Sequence, residues 1–426
     1  MHFDIVIVGG GAGGLELAAQ LGRHLGKNLG GERVLLIDKF PFHIWKPTLH
    51  EVAAGTLDAH QEGLSYTVLA RRNHFSFTMG ELGQVDVVRK TVTLAAILDG
   101  EGVEIVPQRT ISFKRLVLAL GSGSNSFGTP GIDNAYLLEN VRDAQRFHSD
   151  WLSASARAAF SSERSLSVAI VGAGATGVEL SAELLESHAA VLESLGSNQR
   201  FRLDITLVEG SDRILGGLPP RISEQATVAL QRKEVKVMTN TRVQELKKGV
   251  LVTSAGEIRA DMIVWAAGIK AADSNTQLGL ETNRINQFVV DDHLRTSVPD
   301  VYAIGDCAAC QWVDGKFIPA RAQAAHQQAS YLAKVLGAML REQEVSAPFV
   351  YKDFGSLVSL GDNKGVGNLM GGLAGRNFFV EGLLAKWMYM SLHLMHHRAI
   401  LGTTKTGLLA LARLLQQRVS GRMKLH

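Results

Sequence analysis

A glycine-rich turn near the start of the chain constrains its fold more than any other feature. The run Ile5–Val8, which follows Asp4, is apolar and β-branched, as in a buried parallel strand, and a helix-forming run begins soon after it. Between the two, Gly9, Gly11 and Gly14 occupy the three glycine positions of a G-x-G-x-x-G fingerprint. Gly9 permits the turn, Gly11 leaves space for a pyrophosphate, and Gly14 lets the helix pack against the strand. The pattern predicts a dinucleotide whose phosphates bind the helix N-terminus.

The residues that follow favour a bound dinucleotide over an α/β turn that holds no ligand. Arg33–Ile37 predicts a second buried strand, and it ends at Asp38. A carboxylate in this position can accept hydrogen bonds from the hydroxyls of the adenosine ribose. We therefore assign the three glycines and Asp38 to one cofactor.

The same device recurs in the middle of the chain. Ser167–Val171 predicts a strand, and it runs into Gly172, Gly174 and Gly177 and then a helix. The acid of this second site is Glu209, which comes late because residues 187–199 are predicted to be an insertion. Two fingerprints predict two dinucleotides.

The second acid also predicts which nicotinamide cofactor binds. A carboxylate such as Glu209 favours a free 2′-hydroxyl over a phosphate, so NADH is expected rather than NADPH. The nearby Arg213 leaves NADPH open as an alternative.

Composition excludes several other classes of protein. At 426 residues the chain is too long for one core and predicts two or three domains. A net charge of +3, without basic runs interleaved with aromatics, excludes a nucleic-acid binder. Two cysteines exclude a disulfide framework. The sequence shows no secretory signal and no apolar run of the ~18 residues that a transmembrane helix needs, so we expect a protein on the cytoplasmic side.

Several other segments connect the two fingerprints to a flavoprotein pattern. Glu62–Ala70 predicts a helix and Val85–Leu94 predicts antiparallel strands. Val301–Ile304 predicts a strand that ends in Gly305-Asp306, near the start of a predicted helix. This ending resembles the second flavin motif of the two-dinucleotide-domain flavoproteins.

That resemblance implies which cofactor binds where. In that group the N-terminal fingerprint binds the FAD pyrophosphate and an aspartate, here Asp306, binds the ribityl chain. The domain inserted between the two flavin segments binds the nicotinamide cofactor. Gly121 then ends the strand that returns to the flavin, and Gly268 closes the inserted domain. The FAD is expected to be non-covalent.

Cysteine positions separate the members of this group. A disulfide reductase of the glutathione reductase kind needs a redox pair near residues 48–63, and no cysteine lies there. Cys307 and Cys310 have C-x-x-C spacing, and a helix N-terminus could lower the pKa of a thiol there. The alternative is two small buried side chains that fill space behind the flavin, and we favour it.

A motif late in the chain is the most specific one. Ala322–Gln327 matches the A-Q-x-A-x-Q motif of the type II NADH:quinone oxidoreductases, and the sequence resembles the proteobacterial respiratory members over nearly its whole length. The resemblance implies that Gln323 and Gln327 line a quinone pocket beside the flavin. An amide can hydrogen-bond a quinone carbonyl without adding charge to an apolar slot.

Two further residues are assigned by the same resemblance. Glu179 matches a glutamate that the family places near the nicotinamide and the flavin, although an acid in the first turn of a helix can also simply complement the helix dipole. Lys46 matches a basic position near the reactive edge of the flavin. The predicted catalytic residues are Glu179, Gln323, Gln327 and Lys46. The predicted FAD residues are Gly9, Gly11, Gly14, Asp38, Lys46, Gly121, Asp306 and Gln323, and the predicted NADH residues are Gly172, Gly174, Gly177, Glu179, Glu209 and Gly268.

The C-terminal part predicts attachment to a membrane. Two apolar segments, 378–390 and 406–415, are too short and too charged to span a bilayer, and five cations accompany the second. They suit helices lying in the membrane interface, and the alternative is a pair of helices that pack on protein. His393, His396 and His397 lack a carboxylate or thiolate at ligand spacing, so we predict interfacial histidines and no metal.

The predicted fold class is α/β, with two Rossmann-like dinucleotide-binding domains, as in a glutathione-reductase-like flavoprotein, and a C-terminal membrane-binding region. The predicted domains are residues 1–125 for the first part of the FAD-binding domain and 126–285 for the inserted NADH-binding domain. Residues 286–345 form the second part of the FAD-binding domain with the quinone motif, and 346–426 form the membrane-anchoring region.

The predicted function is FAD-dependent oxidation of NADH with two-electron reduction of a membrane quinone, without proton pumping. The alternatives are a soluble NAD(P)H-dependent reductase with a protein acceptor such as ferredoxin, and a redox-sensing binding protein. The predicted partners are ubiquinone or menaquinone and the membrane surface, at the cytoplasmic face of the inner membrane, with a homodimer left open. The sequence does not fix the quinone or the order of substrate binding, and for the proton donor it offers His326 as a candidate by position only.

Overall fold

The computed structural model describes residues 1–195, 199–313, 315–343, 345–361, 365–370, 377–381 and 383–419, so the end of the predicted anchoring region, 420–426, lies outside the described residues. Ten α-helices lie within these ranges: α1 (Ala12–Arg33), α2 (Leu49–Ala54), α3 (Ala59–Glu62), α4 (Tyr66–Asn73), α5 (Val141–Phe160), α6 (Ala175–Ser194), α7 (Pro220–Arg232), α8 (Ala322–Met339), α9 (Leu383–Leu401) and α10 (Thr403–Val419).

The first large sheet carries the first fingerprint. Its parallel strands run in the order Ser76–Met79, Val34–Asp38, His2–Val8, Arg109–Leu118 and Val301–Ala303. Ile5, Val6 and Ile7 are consecutive and fully buried, as expected for a strand that is covered on both faces. The first residues of Arg109–Leu118 pair instead with the antiparallel strands Thr91–Leu94 and Leu82–Asp86. A strand from late in the chain therefore completes a sheet that the first residues begin.

The second large sheet carries the second fingerprint. Its five strands are all parallel, in the order Tyr136–Leu137, Met262–Trp265, Ser165–Val171, Arg202–Val208 and Lys236–Met238. The helices α5 and α6 pack on this sheet, and Trp151 of α5 is fully buried and donates a hydrogen bond to Ser187 Oγ of α6 at 2.9 Å. This sheet has its own hydrophobic core.

Six smaller sheets lie within the part of the chain that the structure describes. Two have three strands: Val243–Lys247, Val250–Thr253 and Gly256–Arg259, and Gly355–Ser359, Gly365–Met370 and Asn377–Glu381. Four are two-stranded pairs: Phe42–His43 with Leu64–Ser65, Ile97–Leu98 with Glu104–Val106, Gly123–Ser124 with Ile269–Lys270, and Phe288–Val290 with Ala308–Cys310.

Three local predictions differ from the structure. The helix predicted over Glu62–Ala70 is split into α3 and α4, because Gly63 is extended and Ser65 begins α4 by accepting a hydrogen bond from the Val68 N–H at 3.5 Å. The second C-terminal apolar segment is helical, but Phe378 lies in a strand and α9 begins only at Leu383. The turn Gly305–Cys307 leads into a strand rather than a helix.

The C-terminal helix α9 packs on α1, the helix that follows the first fingerprint. The helix α9 also packs against the strand Gly355–Ser359, and α10 packs against α9. Within the described ranges, every helix is too short or too polar to cross a bilayer.

Candidate active site

The first fingerprint is held by a backbone contact that no side chain could replace. A Cβ on Gly14 would lie 1.9 Å from the carbonyl oxygen of Gly9, so α1 can approach the strand only without a side chain there. Gly9 has a φ of +104°, and a Cβ on it would lie 2.2 Å from the Ala119 carbonyl oxygen. A Cβ on Gly11 would meet no atom within 4 Å, so this turn is open toward a ligand. An open turn at a helix N-terminus fits the pyrophosphate of FAD.

Asp38 is fixed at the edge of the same turn. Its two carboxylate oxygens accept hydrogen bonds from the Gly10 N–H at 2.6 Å and from the Phe40 N–H at 2.8 Å. Burial raises the pKa of Asp38 above its ordinary value, and the two amides oppose this. The carboxyl group is therefore anchored beside the glycine turn, where a ribose would lie.

The second fingerprint repeats this geometry closely. A Cβ on Gly177 would lie 2.0 Å from the Gly172 carbonyl oxygen, Gly172 has a φ of +97°, and Gly174 is open. Glu209 accepts hydrogen bonds from the Ala173 N–H and the Ser211 N–H, both at 2.8 Å. Ala173 and Gly10 hold equivalent places in the two turns, so each turn is tied to its acid in the same way.

Arg213 is occupied within its own loop. Its guanidinium donates hydrogen bonds to the carbonyl oxygens of Leu218 and Gly216, both at 2.8 Å. These contacts direct the guanidinium away from the role of binding a 2′-phosphate, which favours NADH over NADPH. Gly268, assigned to the same cofactor, has a φ of +64° and follows the strand Met262–Trp265.

Three of the predicted FAD residues, Lys46, Gly121 and Asp306, lie together around Ser122. Ser122 donates a hydrogen bond from Oγ to Asp306 Oδ2 at 2.9 Å, and the exposed Lys46 ammonium donates to the Ser122 carbonyl oxygen. Gly121, which precedes Ser122, has a φ of +72° and open space where a Cβ would be. Three segments distant in sequence thus meet at Asp306.

Gln323 and Gln327 lie on α8 and both hold the loop 352–355. Gln323 Nε2 donates to the Gly355 carbonyl oxygen at 3.0 Å and to Asp353 Oδ1 at 3.2 Å. Gln327 Nε2 donates to the Lys352 carbonyl oxygen at 2.8 Å, and its Oε1 accepts from the Lys352 N–H at 3.0 Å. Both amides therefore position this loop, in addition to the quinone contact predicted from the sequence.

Glu179 is buried at the second fingerprint helix. Its Oε1 accepts a hydrogen bond from the Ser359 N–H at 3.0 Å, and its Oε2 lies 3.7 Å from His50 Nδ1. Burial, with a smaller contribution from Glu183, raises the pKa of Glu179 to about 8. Burial also lowers the pKa of His50 to about 4, so this imidazole is neutral. In the alternative interpretation Glu179 would be an ionised acid that only complements the helix dipole. Its burial and its raised pKa do not fit that role.

The two cysteines are buried and free. Burial raises the pKa of Cys307 to about 12 and of Cys310 to about 11. Cys310 lies on a strand, so the helix N-terminus that could have activated a thiol is not there. The geometry favours the interpretation of the pair as small apolar side chains.

Comparison with known proteins decides the family. The profile of the pyridine nucleotide-disulphide oxidoreductase family matches residues 3–329. The type II NADH:quinone oxidoreductase of Haemophilus influenzae is 40% identical over 99% of this chain and 100% of its own length. The chain belongs to the type II NADH:quinone oxidoreductases, within that wider family.

Solved structures agree on the fold. The NDH2 structure from Plasmodium falciparum in complex with NADH has a TM-score of 0.82 at 19% identity and covers 99% of each chain. The ferredoxin reductase for the CYP199A2 system from Rhodopseudomonas palustris has a TM-score of 0.65 and covers 86% of this chain. The predicted family and the glutathione-reductase-like α/β fold are both confirmed.

The sequence analysis missed one buried cluster of ionisable side chains. Glu16 of α1 lies between His326 of α8 and His396 of α9, and His43 contacts His396. The prediction of interfacial histidines is wrong for His396 and His397, which are each 2% exposed, because α9 packs its histidine face on protein. A carboxylate in the apolar run Leu15–Ala19 was the sequence signal that could have found the cluster.

We expect NADH to be a better substrate than NADPH in kcat/KM by at least about tenfold, which corresponds to ~1.4 kcal/mol. Glu209 would accept hydrogen bonds from a free ribose and repel a 2′-phosphate, and Arg213 is engaged elsewhere. Steady-state oxidation of both nucleotides with one water-soluble quinone measures the ratio. Glu209→Gln should lower the ratio of kcat/KM for NADH to that for NADPH. Equal efficiency of the two nucleotides with the unaltered protein would contradict the assignment of Glu209 to the ribose of NADH.

Replacing Cys307 and Cys310 by alanine should leave NADH:quinone activity within a few-fold, because both thiols are buried and have raised pKa values. Activity is measured at equal FAD content, which visible absorbance reports. An inactive double variant that retains its flavin would instead indicate thiol chemistry.

Proposed function

We propose that the protein oxidises NADH through bound FAD and reduces a quinone, without pumping protons. The observation that carries this proposal is the position of α8. A Cβ on Gly13 would lie 3.3 Å from the Ala325 carbonyl oxygen, and the Gly305 N–H donates to Gln328 Oε1 at 2.7 Å. The helix with the glutamine motif therefore lies directly against the flavin fingerprint and the Gly305-Asp306 turn.

The proposed roles follow the two fingerprints. FAD accepts a hydride and releases electrons in pairs when bound, and the protein holds the reacting groups in contact and excludes water. We assign residues 1–125 and 286–345 to the FAD-binding domain and 126–285 to the NADH-binding domain. Asp38 and Asp306 bind FAD, Glu209 binds the ribose of NADH, and Glu179 lies toward the nicotinamide.

The quinone pocket is assigned to the first turns of α8. Gln327 uses one N–H of its amide on Lys352, which leaves the other N–H for a quinone carbonyl. Both N–H groups of Gln323 are directed to Asp353 and Gly355, so Gln323 acts chiefly by shaping the pocket wall. Lys46 donates to the Ser122 carbonyl oxygen, and its ammonium lies on the side of Asp306.

Steady-state oxidation of NADH by the purified protein with a water-soluble quinone tests the proposal. NADPH and a dithiol substrate serve as controls for the cofactor and for disulfide chemistry. Electron transfer to a ferredoxin but not to the quinone would identify the protein-acceptor reductase instead.

We further propose that the protein attaches to a membrane through α9 and α10, at the cytoplasmic face, where NADH is available. On α10, Leu408, Leu411 and Leu415 lie on one face and are each more than half exposed, while Thr406 on the opposite side is buried against α9. Lys405 is exposed beside them. An exposed leucine stripe with flanking cations is typical of a helix in the membrane interface. A long-tailed quinone could then enter from the bilayer.

Changing Gln327 or Gln323 to leucine should slow flavin reoxidation by quinone about tenfold or more and leave flavin reduction by NADH intact, since the hydride site is assigned to the other side of the ring. Stopped-flow absorbance measures the two half-reactions separately. Gln311→Leu, an exposed glutamine outside α8, is the matched control. Loss of the reductive half-reaction instead would show that the quinone assignment is wrong.

A triple change of Leu408, Leu411 and Leu415 to serine should weaken binding to anionic liposomes at least about tenfold. Each leucine side chain that moves from water into the membrane contributes roughly 1.5–3 kcal/mol to binding. Co-sedimentation measures binding, and high salt should weaken it only in part, since immersion of apolar side chains is not screened. The control changes Val88, Val103 and Ile105, which are also exposed apolar residues, to serine. Equal binding by the two triple variants would mean that another surface holds the membrane.

A further inference from the structure

A buried row of ionisable side chains joins three helices beside the assigned quinone pocket. Glu16 of α1 is 0% exposed. Its Oε2 accepts a hydrogen bond from His326 Nδ1 of α8, and its Oε1 lies 2.6 Å from His396 Nδ1 of α9. His396 Nε2 in turn lies 2.8 Å from His43 Nε2. The cofactor and substrate assignments above leave this row without a task.

The hydrogen bonds decide where the protons are. His43 Nδ1 lies 3.0 Å from the Gly10 carbonyl oxygen, which can only accept, so His43 carries its proton on Nδ1. Burial lowers the pKa of His43 well below its ordinary value, so this ring is neutral and its Nε2 accepts. His396 Nε2 therefore donates to His43, and His396 Nδ1 faces the Glu16 carboxylate at 2.6 Å. His396 thus links the neutral His43 ring to the buried acid.

His326 is the member of the row that reaches the surface. Its side chain is about one-third exposed, whereas those of Glu16 and His396 are each 1% exposed. It lies on α8 between Gln323 and Gln327, at the spacing that puts all three on one helix face. Because Glu16 holds Nδ1, the nitrogen left for another molecule is Nε2.

Glu16 also sets the proton affinity of His326. Burial would raise the pKa of Glu16, but the two imidazoles hold it below its ordinary value. The hydrogen bond that His326 donates to Glu16 in turn raises the pKa of His326 above its ordinary value, against the opposing effect of burial. The cation Arg23 on α1 also interacts with Glu16.

The other titratable groups near the row are His393 and His397 on α9 and Tyr66 on α4, whose hydroxyl donates to the Gly10 carbonyl oxygen that His43 also contacts. His393 and His397 both interact with His396, and burial lowers the pKa of each, to about 3 for His393. Both are therefore neutral near pH 7, and the charge that faces His326 is the carboxylate of Glu16.

The proposed reaction requires a proton that NADH does not supply. NADH gives two electrons and one proton as a hydride, whereas a quinone needs two electrons and two protons to become a quinol. One proton per turnover must therefore come from the protein or from water. A group beside the quinone pocket with its pKa raised toward neutral pH is suited to deliver it.

We propose that His326 donates this second proton to the quinone oxygen from Nε2, and that Glu16, held on its other side by His396, is the positioning residue that orients His326 and keeps it protonated. The N–H bond of His326 breaks as the O–H bond of the quinol forms, and the exposed ring then regains a proton from water. This inference rests on the proposed function, because it needs a quinone as acceptor.

The test compares two acceptors for the NADH-reduced holoenzyme: a water-soluble quinone, which takes up protons, and ferricyanide, which takes up electrons alone. With quinone, the reoxidation rate of the unaltered protein should be constant at low pH and should fall as pH rises through the pKa of His326. Glu16→Gln removes the charge that raises this pKa. The fall should therefore move to lower pH, and the rate with quinone at neutral pH should drop about 10- to 100-fold.

Three further variants separate proton transfer from structural support. His326→Gln leaves the Glu16–His396 pair intact and should give a slow rate with quinone that no longer falls with pH. Glu16→Asp should restore part of the quinone rate. His24→Gln, which changes a histidine on α1, the helix of Glu16, should keep the pH profile of the unaltered protein. All variants should keep the ferricyanide rate within about twofold at equal FAD content.

The outcomes distinguish this inference from the proposed function. If Glu16→Gln and His326→Gln lower the melting temperature but keep the unaltered ratio of quinone to ferricyanide rates and the unaltered pH profile, the row is structural and the inference is wrong. If the unaltered protein reduces ferricyanide but no quinone, the proposed function itself fails.

Discussion

The structure depends on one backbone contact that occurs twice, where a helix glycine touches the carbonyl oxygen of the glycine that ends the preceding strand. A Cβ on Gly14 or Gly177 would lie within about 2 Å of that oxygen, so even alanine would push the helix away. This contact sets how closely the helix approaches the end of the strand. It therefore fixes the helix N-terminus and the open second glycine beside the acid. Because the acid is tied to the turn by a backbone N–H in both cases, the two cofactor sites have nearly the same geometry.

One C-terminal segment connects the two candidate sites. The loop 352–355 is held by both glutamines of α8, and four residues further on the Ser359 N–H binds the buried carboxyl group of Glu179. The proposed quinone side and the proposed nicotinamide side are therefore linked by a short stretch of chain that belongs to neither fingerprint. Burial is the main cause of the raised pKa of Glu179, and the hydrogen bond from the Ser359 N–H opposes it.

The same dependence on late residues holds for α9. Arg23 of α1 donates to the Ala399 carbonyl oxygen at 2.7 Å, at the C-terminal end of α9, where a cation complements the helix dipole. Glu16, two turns earlier on α1, binds His396 on the same helix. Two charged contacts thus fix the proposed membrane-attachment helices to the helix that begins the FAD site. Leaving the buried Glu16 carboxylate unpaired would be costly, which makes this docking specific.

The sequence by itself determined the parts of the protein that local rules govern. The fingerprints at Gly9 and Gly172, their acids Asp38 and Glu209, and the two-dinucleotide fold follow from glycine conformation and strand periodicity over a few tens of residues. The motif with Gln323 and Gln327 added the family. Only the tertiary structure decided that these glutamines hold the loop 352–355, that Cys310 lies on a strand, and that Glu16 meets His396 across 380 positions of sequence. Such contacts leave no periodic signal, because the partners are brought together by the packing of α1, α8 and α9 and not by their spacing along the chain.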